Sequence, residues 1–295
     1  MSMQTVFGSE DAAALKSPLR YPGGKTRVAK QLLAYAPEHE QYREIFAGGA
    51  ALFFRKAKSK DSWINDRHPG LYAFYIALRD HFASFSAMCR KQNGKLRDIF
   101  DCWVARRDLM DAKGDDDLVE RAVQFYFINR TVWGGRVVYD PDRKSRLYFS
   151  NPEGWRNLDN KLEQLKRISQ KLQSVRITCL SFEQCMDDLS EDTFVYCDPP
   201  YIRDTYCHAS DKLYDKSFNE QHHSLLAQSL GRTPAKIMVS YDDCPQARQL
   251  YDASKWRFIE LKWKYCGRYA VTKEEKANGT KERKVEGREL LILNY

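Results

Sequence analysis

The stretch that decides the fold is residues 42–66, YREIFAGGAALFFRKAKSKDSWIND, in which the residue pattern changes three times. Residues 43–46 predict a short strand, and the glycine pair at 48–49 predicts the turn that ends it. Residues 50–57 then predict the start of a helix, and residues 62–66 predict a second short strand ending in Asn-Asp. This order of strand, turn, helix and strand is the opening unit of a doubly wound α/β fold.

The rest of the chain separates into three parts by its pattern. Residues 1–16 are polar and Ala-rich, which is typical of a loose tail. Residues 70–173 carry apolar residues at helical spacing, so we interpret them as a mostly helical insert. Strand patterns return after it, and residues 17–69 and 174–295 together predict one α/β core. Helices are expected at 71–85, 118–130, 158–172 and 219–230, and strands at 174–180, 193–197, 235–240, 256–263 and 288–294.

Composition excludes several classes of protein before any motif is considered. The chain has 295 residues, 43% of them hydrophobic, so it can bury a large core without disulfides or metals. Its eight cysteines include no C-x-x-C pair, which argues against a structural zinc site or a redox dithiol. Lys and Arg number 48 against 40 Asp and Glu, and the net charge of +8 permits a polyanionic partner without requiring one.

The sequence also argues against a membrane or metal partner. No segment reaches the roughly 18 consecutive apolar residues of a membrane span, and residues 1–16 lack the apolar core of a secretory signal. Neither His222-His223 nor Cys207-His208 has the spacing of a metal-ligand cluster. We therefore expect a cytoplasmic protein with reduced thiols and no bound metal.

The most specific chemical signal is the motif DPPY at residues 198–201, which directly follows the apolar strand predicted at 193–197. Strand ends in open α/β sheets face the ligand crevice. Because proline has no N–H, this turn presents carbonyl oxygens beside the Asp198 carboxylate, and such acceptors can hold both hydrogens of one exocyclic amine. Tyr201 adds a flat ring on which a base can stack. The alternative is an ordinary strand-ending turn with a core tyrosine, and the four residues alone do not separate the two.

Two glycine-containing motifs lie upstream. FAGGA at 46–50 lets a ligand approach the backbone closely, but it is not the G-x-G-x-x-G of dinucleotide-binding proteins. Asp66 ends the next strand, where it can accept hydrogen bonds from ribose hydroxyls or cap the helix that begins near Pro69. YPGGK at 21–25 carries a lysine after two glycines, which either reaches into a site or lies in a solvated loop.

Taken in their order along the chain, these motifs resemble the Dam-type, D12-class DNA adenine-N6 methyltransferases, which use S-adenosylmethionine. The matches are YPGGK at 21–25, FAGGA at 46–50, Asn65-Asp66 and DPPY at 198–201, with weaker similarity through 125–135, 217–226 and 239–242. The resemblance covers about residues 18–295. It implies a Rossmann-like methyltransferase core, with residues 70–173 as an inserted target-recognition domain. It also implies that a bacterial or phage-encoded enzyme transfers a methyl group to N6 of an adenine flipped out of duplex DNA.

The resemblance further assigns roles to individual residues. The catalytic residues, which hold the target base, are Asp198, Pro199, Pro200 and Tyr201. The cofactor-binding residues are Tyr21, Gly23, Gly24, Lys25, Phe46, Ala47, Gly48, Gly49, Asp66, Phe182 and Asp198. Within this set, Asp66 binds the ribose of the cofactor and Phe182 flanks its adenine. The family usually has Asp or Asn before that phenylalanine, and this chain has Ser181 there.

DNA binding is expected from the insert and from a mobile basic loop at 273–288. The residues assigned to it are Lys25, Arg130, Trp133, Arg136, Tyr139, Arg143, Lys144, Arg146, Lys281, Arg283 and Lys284. Most lie in 133–155, which predicts a loop or hairpin whose basic side chains suit phosphates or guanines, with a solvated basic hairpin as the alternative. Family members that read GATC carry an aromatic-Asn-Gly step and an Arg-Tyr pair there. This chain has WGG at 133–135 and VY at 138–139, so we expect a recognition sequence other than GATC.

Several alternatives remain open at this point. RNA adenine-N6 and DNA cytosine-N4 methyltransferases present the same amine geometry, although the family's Asp at position 198 favours adenine in DNA. A catalytically silent DNA-binding protein on the same fold would differ by failing to bind the cofactor. An oxidoreductase of the NAD type suits the opening unit but leaves DPPY unexplained. The resemblance to enzymes of this kind favours a monomer or a weak dimer.

Overall fold

The computed structural model describes residues 15–21, 23–96, 98–99, 114–132, 155–202, 218–268 and 284–295, with the backbone alone at 263–268 and 284–288. A seven-stranded sheet lies at its centre. The strands are β1 (Gln41–Glu44), β2 (Asp61–Asn65), β3 (Arg176–Thr178), β4 (Thr193–Cys197), β5 (Lys236–Asp242), β6 (Arg257–Arg268) and β7 (Lys284–Leu293).

The strand order is β3-β2-β1-β4-β5-β7-β6. The first five strands in this order run parallel to one another, and β7 runs antiparallel between β5 and β6. The chain moves outward from β1 to β2 and β3 on one side, and then returns to place β4 on the other side of β1. Ligands of doubly wound sheets bind at the carboxyl ends of the strands where the order reverses in this way. The predicted α/β class is confirmed, and the reversal falls between the two strands that carry FAGGA and DPPY.

The helices join these strands. They are α1 (Ala29–Leu33), α2 (Ala51–Arg55), α3 (Pro69–Asp80), α4 (Phe82–Gln92), α5 (Asp115–Thr131), α6 (Leu158–Leu172), α7 (Glu220–Leu230) and α8 (Pro245–Leu250). The prediction of a single helix over 71–85 is wrong in one respect, because the helix is interrupted between α3 and α4. His81 at the break has φ −128° and ψ 33°, outside the helical region, so the apolar spacing continues while the backbone turns.

Two apolar clusters cover the two faces of the sheet. Neighbouring residues of one strand point to opposite faces, so Ile64 lies in the first cluster and Trp63 in the second. The first cluster also includes residues of α3, α5 and α6, whereas α7 and α8 contribute to the second. The helices within 70–173 thus share a continuous core with the sheet, and the domain boundaries expected at its two ends stay a prediction.

The mobile loop predicted over 273–288 is wrong for residues 284–288. These residues begin β7 and pair with β6 in a register that matches Arg268 with Lys284 and Lys262 with Arg288. Antiparallel pairing satisfies backbone groups whatever the side chains are, so a very polar sequence can still form the ladder. Residues 269–283 lie outside the described part of the chain.

Among the described residues, no helix has both the length and the apolar character needed to cross a bilayer. The same residues contain no group of three or more His, Cys, Asp or Glu side chains that could hold a metal ion.

Candidate active site

The site is centred on Asp198, the first residue after β4. Both of its carboxylate oxygens accept hydrogen bonds from Nζ of Lys25, at 2.8 and 2.9 Å. The same ammonium donates to the carbonyl oxygen of Gly23 at 3.0 Å. Lys25 is only 5% exposed, so this lysine does not lie in solvent, although Gly23 and Gly24 before it are exposed. The structure therefore joins YPGGK to DPPY across 173 residues of sequence.

A second carboxylate, Glu289 on β7, completes this cluster. Its Oε1 accepts the Tyr201 hydroxyl at 2.7 Å and lies 3.4 Å from Nζ of Lys25. The ammonium lies 4.8 Å from the centre of the Tyr201 ring, within cation–π range. Sequence analysis missed Glu289, although a charged residue within the apolar run at 288–294 is an unusual feature that could have indicated it. An ordinary strand-ending turn requires none of these contacts.

Burial sets the protonation of the cluster. It raises the pKa of the Asp198 carboxyl, and the nearby Lys25 ammonium opposes this change. It also raises the pKa of Glu289 to about 7, again against the attraction of Lys25 and with a further upward contribution from Asp198. A half-buried and a buried carboxyl group thus share one ammonium, and burial keeps the Tyr201 phenol neutral by raising its pKa.

The glycine turn after β1 is held from both sides. Gly48 has φ +47°, a left-handed backbone conformation that is strained for residues with a side chain. A Cβ at this position would also lie 3.0 Å from the Tyr21 ring. Its N–H donates to Oδ2 of Asp66 at 2.7 Å, and its carbonyl accepts the Tyr75 hydroxyl at 2.8 Å. The absence of a side chain at Gly48 therefore lets Tyr21 lie directly on the turn.

Asp66 supports that turn instead of capping a helix. Its second oxygen, Oδ1, accepts the N–H of His68 at 2.9 Å. The side chain of His68 is the cap of α3, since its Nδ1 accepts the N–H of Gly70 at 3.0 Å. The alternative in which Asp66 caps this helix is therefore wrong. Burial raises the pKa of Asp66 to about 6, while the two backbone N–H groups oppose the shift.

Three phenylalanine rings lie together beside the glycine turn. The ring centres of Phe46 and Phe182 are 6.1 Å apart, and both lie near Phe218, at 5.6 and 5.9 Å. Ser181, which replaces the family's usual Asp or Asn, donates its backbone N–H to Oε1 of Gln184. Sequence analysis assigned Phe46 and Phe182 to the cofactor but missed Phe218, which lies in the weakly similar stretch 217–226.

One asparagine fixes the segment that carries YPGGK. Asn129 is fully buried in α5 and holds Arg20 by both backbone groups. The N–H of Arg20 donates to Oδ1 of Asn129 at 3.0 Å, and Nδ2 of Asn129 donates to the carbonyl of Arg20 at 2.7 Å. This clamp positions the start of the YPGGK segment at residues 21–25, here called the lysine loop, relative to the helices of the insert.

A basic cluster, defined as Arg20, Arg130 and Lys161, lies next to this clamp. Burial lowers the pKa of Arg130, and Arg20 adds to the effect. Burial also lowers the pKa of Lys161, with further contributions from Arg130 and Arg20. Among the described residues, none of the three forms an ion pair with a carboxylate. Three cationic side chains thus lie near one another beside the clamp.

One member of the basic cluster, Lys161, lies over an aromatic ring. Nζ of Lys161 lies 5.5 Å from the ring centre of Trp155. Trp155 stacks on Phe127 at 4.6 Å with an interplanar angle of 1°, one helical turn before Arg130 on α5. Sequence analysis named Arg130 as a DNA-binding residue and missed the other two members.

The remaining DNA-binding predictions fall largely outside the described residues. This holds for Trp133, Arg136, Tyr139, Arg143, Lys144, Arg146, Lys281 and Arg283. Lys284 begins β7, and only its backbone is described. Lys25 is described, and its ammonium contacts Asp198 and Glu289.

Comparison with known proteins gives a consistent result. The model of the D12 class N6 adenine-specific DNA methyltransferase family matches residues 21–266. The type II methyltransferase M.MjaIII of Methanocaldococcus jannaschii is 31% identical over 257 residues, which are 77% of this chain and 84% of that protein. The DNA N-6-adenine-methyltransferase of Escherichia phage P1 is 25% identical over 252 residues, 83% of this chain and 32% of that protein. The type II methyltransferase M1.LlaDCHI of Lactococcus lactis is 25% identical over 241 residues, 79% of this chain and 83% of that protein.

The matched region contains the lysine loop, the glycine turn and DPPY, and the sheet order is that of a Rossmann-like methyltransferase core. The family predicted from the order of the motifs is thereby confirmed. The chain belongs to the D12 class N6 adenine-specific DNA methyltransferases.

Proposed function

We propose that this enzyme transfers a methyl group from S-adenosylmethionine to N6 of an adenine flipped out of duplex DNA. The observation that carries the proposal is the half-buried Asp198 carboxylate at the carboxyl end of β4, held by Lys25 beside the Tyr201 ring. Relatives that are named DNA adenine methyltransferases or methylases come from a phage and a bacterium, and an archaeal relative is named a type II methyltransferase. We also propose that it acts in the cytoplasm, and a monomeric or weakly dimeric state stays a prediction.

The described residues fit the cofactor by their chemistry. A side chain at Gly48 would meet Tyr21, so the turn presents backbone that a ligand can approach closely. Each oxygen of Asp66 accepts one backbone N–H and keeps a second lone pair, which can accept a ribose hydroxyl. Phe182 and Phe218 offer apolar rings for an adenine. S-adenosylmethionine, when bound there, supplies an electrophilic methyl group on a sulfonium.

The chain's own task is to make a poor nucleophile reactive. The lone pair of an adenine amine is delocalised into its ring. We propose that Asp198 and the Pro199 carbonyl accept the two N–H bonds of this amine, which favours the pyramidal nitrogen with a localised lone pair. Tyr201 provides a face on which the base stacks. Most of the rate enhancement then comes from holding two reactants in a reactive orientation, which can supply about 7–11 kcal/mol.

DNA is proposed to bind over the face that carries the lysine loop. An amine inside a base pair is inaccessible, so the target nucleotide must leave the stack. The basic cluster of Arg20, Arg130 and Lys161 adjoins this loop and suits backbone phosphates, which carry no sequence information themselves. We expect a recognition sequence other than GATC, and we propose that residues outside the described part of the chain read it.

The first test is methyl transfer from labelled S-adenosylmethionine to unmethylated genomic DNA, with the product digested and analysed as nucleosides. We expect N6-methyladenine from the wild type, and a loss of at least about a hundredfold in rate for Asp198→Ala and Asp198→Asn. Asp192→Ala is the matched control, because this exposed aspartate lies just before the opposite end of β4. It should leave the rate unchanged.

The alternatives give different products. N4-methylcytosine, or methyl transfer to RNA in place of DNA, would replace the proposed substrate while leaving the amine geometry intact. A wild type that transfers no methyl group and shows no S-adenosylmethionine binding by calorimetry would refute the proposal in favour of a silent DNA-binding protein.

A further inference from the structure

The Asp198 carboxylate carries a bound cation before any target base arrives. Both oxygens accept from the Lys25 ammonium, at 2.8 and 2.9 Å. An incoming amine needs an acceptor at the same carboxylate. Each oxygen keeps a lone pair for it, but the ammonium lowers the basicity of the carboxylate and so weakens Asp198 as an acceptor for the amine. The strength of that hydrogen bond then depends on where else Lys25 can donate.

Glu289 offers the alternative acceptor. Its Oε1 lies 3.4 Å from Nζ of Lys25, so a shift of about 0.6 Å (3.4 − 2.8) would give a full charge-assisted hydrogen bond. If Glu289 did not receive it, an ammonium that leaves Asp198 would give up that carboxylate in a site where Lys25 is 5% exposed. Leaving a buried charge without its counter-ion is costly.

We infer that Glu289 is a positioning residue that receives the Lys25 ammonium when Asp198 takes up the target amine, and that fixes the Tyr201 ring through its hydroxyl. The inference rests on the function proposed above. The hydrogen bond from Tyr201 to Glu289 is 2.7 Å long and uses the same Oε1 that faces Lys25. One carboxylate thus controls both the cation and the ring on which the base stacks.

The position of Glu289 in the fold suits this role. It lies on β7, between β5 and β6, and is 1% exposed. Its cross-strand partners are Asp242 on β5 and Leu261 on β6, so neighbouring strands flank it on both sides. A carboxylate held in this way does not move to follow Lys25, and the flexible lysine side chain makes the adjustment.

The charge of Glu289 controls the exchange, which gives a pH signature. Within the described ranges, the titratable and charged groups near it are Lys25, Asp198, Tyr196, Tyr201 and Asp242. Burial raises the pKa of Glu289 to about 7, so below that pH it is protonated and cannot stabilise the ammonium. We expect kcat to fall as the pH drops through 7.

Glu289→Gln removes the negative charge of this side chain and keeps its shape. The amide oxygen still accepts the Tyr201 hydroxyl, but the second negative charge is gone. We expect kcat to drop by about tenfold or more with a smaller change in the KM for DNA, and the fall in kcat below pH 7 to disappear. Glu260→Gln is the matched control on β6, because Glu260 is exposed and pairs with Arg248. Tyr201→Phe should lower kcat and retain the fall below pH 7.

Three results would overturn the inference. The first is Glu289→Gln with the wild-type kcat and pH profile. The second is a variant with lower kcat but a pH profile parallel to that of the wild type, which would mean a structural role only. Thermal melting and S-adenosylmethionine calorimetry on the same protein establish that it is folded.

The third result comes from a measurement that needs no activity. In ¹⁵N-lysine NMR of the free protein, we expect the Nζ signal of Lys25 to shift with a midpoint near pH 7 in the wild type and not in Glu289→Gln. An identical titration in both proteins would overturn the inference. If the wild type transfers no methyl group, the proposed function fails by itself, and this comparison alone decides whether Glu289 receives the ammonium.

Discussion

Glu44 on β1 should make the stability of this enzyme depend on pH in a predictable direction. The side chain is 2% exposed, and its Oε2 accepts the Tyr42 hydroxyl at 2.8 Å and the N–H of Phe53 at 3.0 Å. Burial raises its pKa from 4.5 to about 8, with the two hydrogen bonds opposing the shift. The folded state therefore keeps a proton that the unfolded state releases above pH 4.5.

The sign and size follow from linkage. Because the folded-state pKa is raised, the favourable contribution is complete below pH 4.5 and is lost as the pH rises through 8. A shift of 3.5 (8 − 4.5), at 1.36 kcal/mol for each unit, gives an upper limit of about 5 kcal/mol. Gln at position 44 cannot ionise and keeps an oxygen for both hydrogen bonds. Glu44→Gln should therefore gain stability relative to the wild type as the pH rises.

Urea unfolding at pH 5, 6, 7 and 8 measures this difference. We expect the two proteins to be within about 1 kcal/mol at pH 5 and the variant to be several kcal/mol more stable at pH 8. Glu40→Gln is the control, since the Glu40 side chain is 62% exposed and pairs only with the exposed Lys60. Parallel stability curves for the wild type and Glu44→Gln would refute the reasoning.

Three other predictions concern the site. Gly48→Ala should cost about 1–2 kcal/mol of stability, since φ is +47° and the new Cβ meets Tyr21, and should weaken S-adenosylmethionine binding in calorimetry. Asn129→Ala leaves both backbone groups of Arg20 without their partner, so thermal unfolding should show a loss of about 2–4 kcal/mol. Replacing the whole basic cluster by Ala should reduce the slope of log affinity for DNA against log salt by about 2.7, at about 0.9 for each phosphate contact, while Lys166→Ala on the exposed side of α6 leaves it unchanged.

Local patterns predicted the regular elements where the signal was complete. The strand at 193–197 and the helix at 158–172 have the predicted bounds, because each has clear apolar periodicity and a polar or proline-containing boundary. The break at His81 was not predictable in this way, since α3 and α4 continue one apolar pattern. The start of β7 was missed because its very polar sequence has no strand pattern, and its pairing with β6 is a long-range feature of the backbone.

The candidate site was likewise predictable only where a local motif marks its residues. DPPY and YPGGK were recognisable as sequence motifs. No periodicity relates positions 25 and 198, however, and only the fold brings the two residues together. Glu289 and Asn129 had no motif at all. Each is a polar residue in an apolar stretch, and its role depends on a partner that lies 88 or 109 residues away in sequence. Long-range pairing of this kind is decided by the fold and cannot be read from either segment alone.

The charge balance of the site connects its parts. Asp198, Glu289 and Asp66 lie at or near the carboxyl edge of the sheet, and Lys25 is the cation that contacts the first two. Burial makes each ionised carboxylate costly, which raises all three pKa values. A bound cation lowers that cost because it stabilises the charged forms. Under the proposed function, S-adenosylmethionine would bring a positive charge that its product lacks. The three carboxylates would then favour the charged cofactor over its neutral product, so that binding of the reactants and release of the product would depend on one set of side chains.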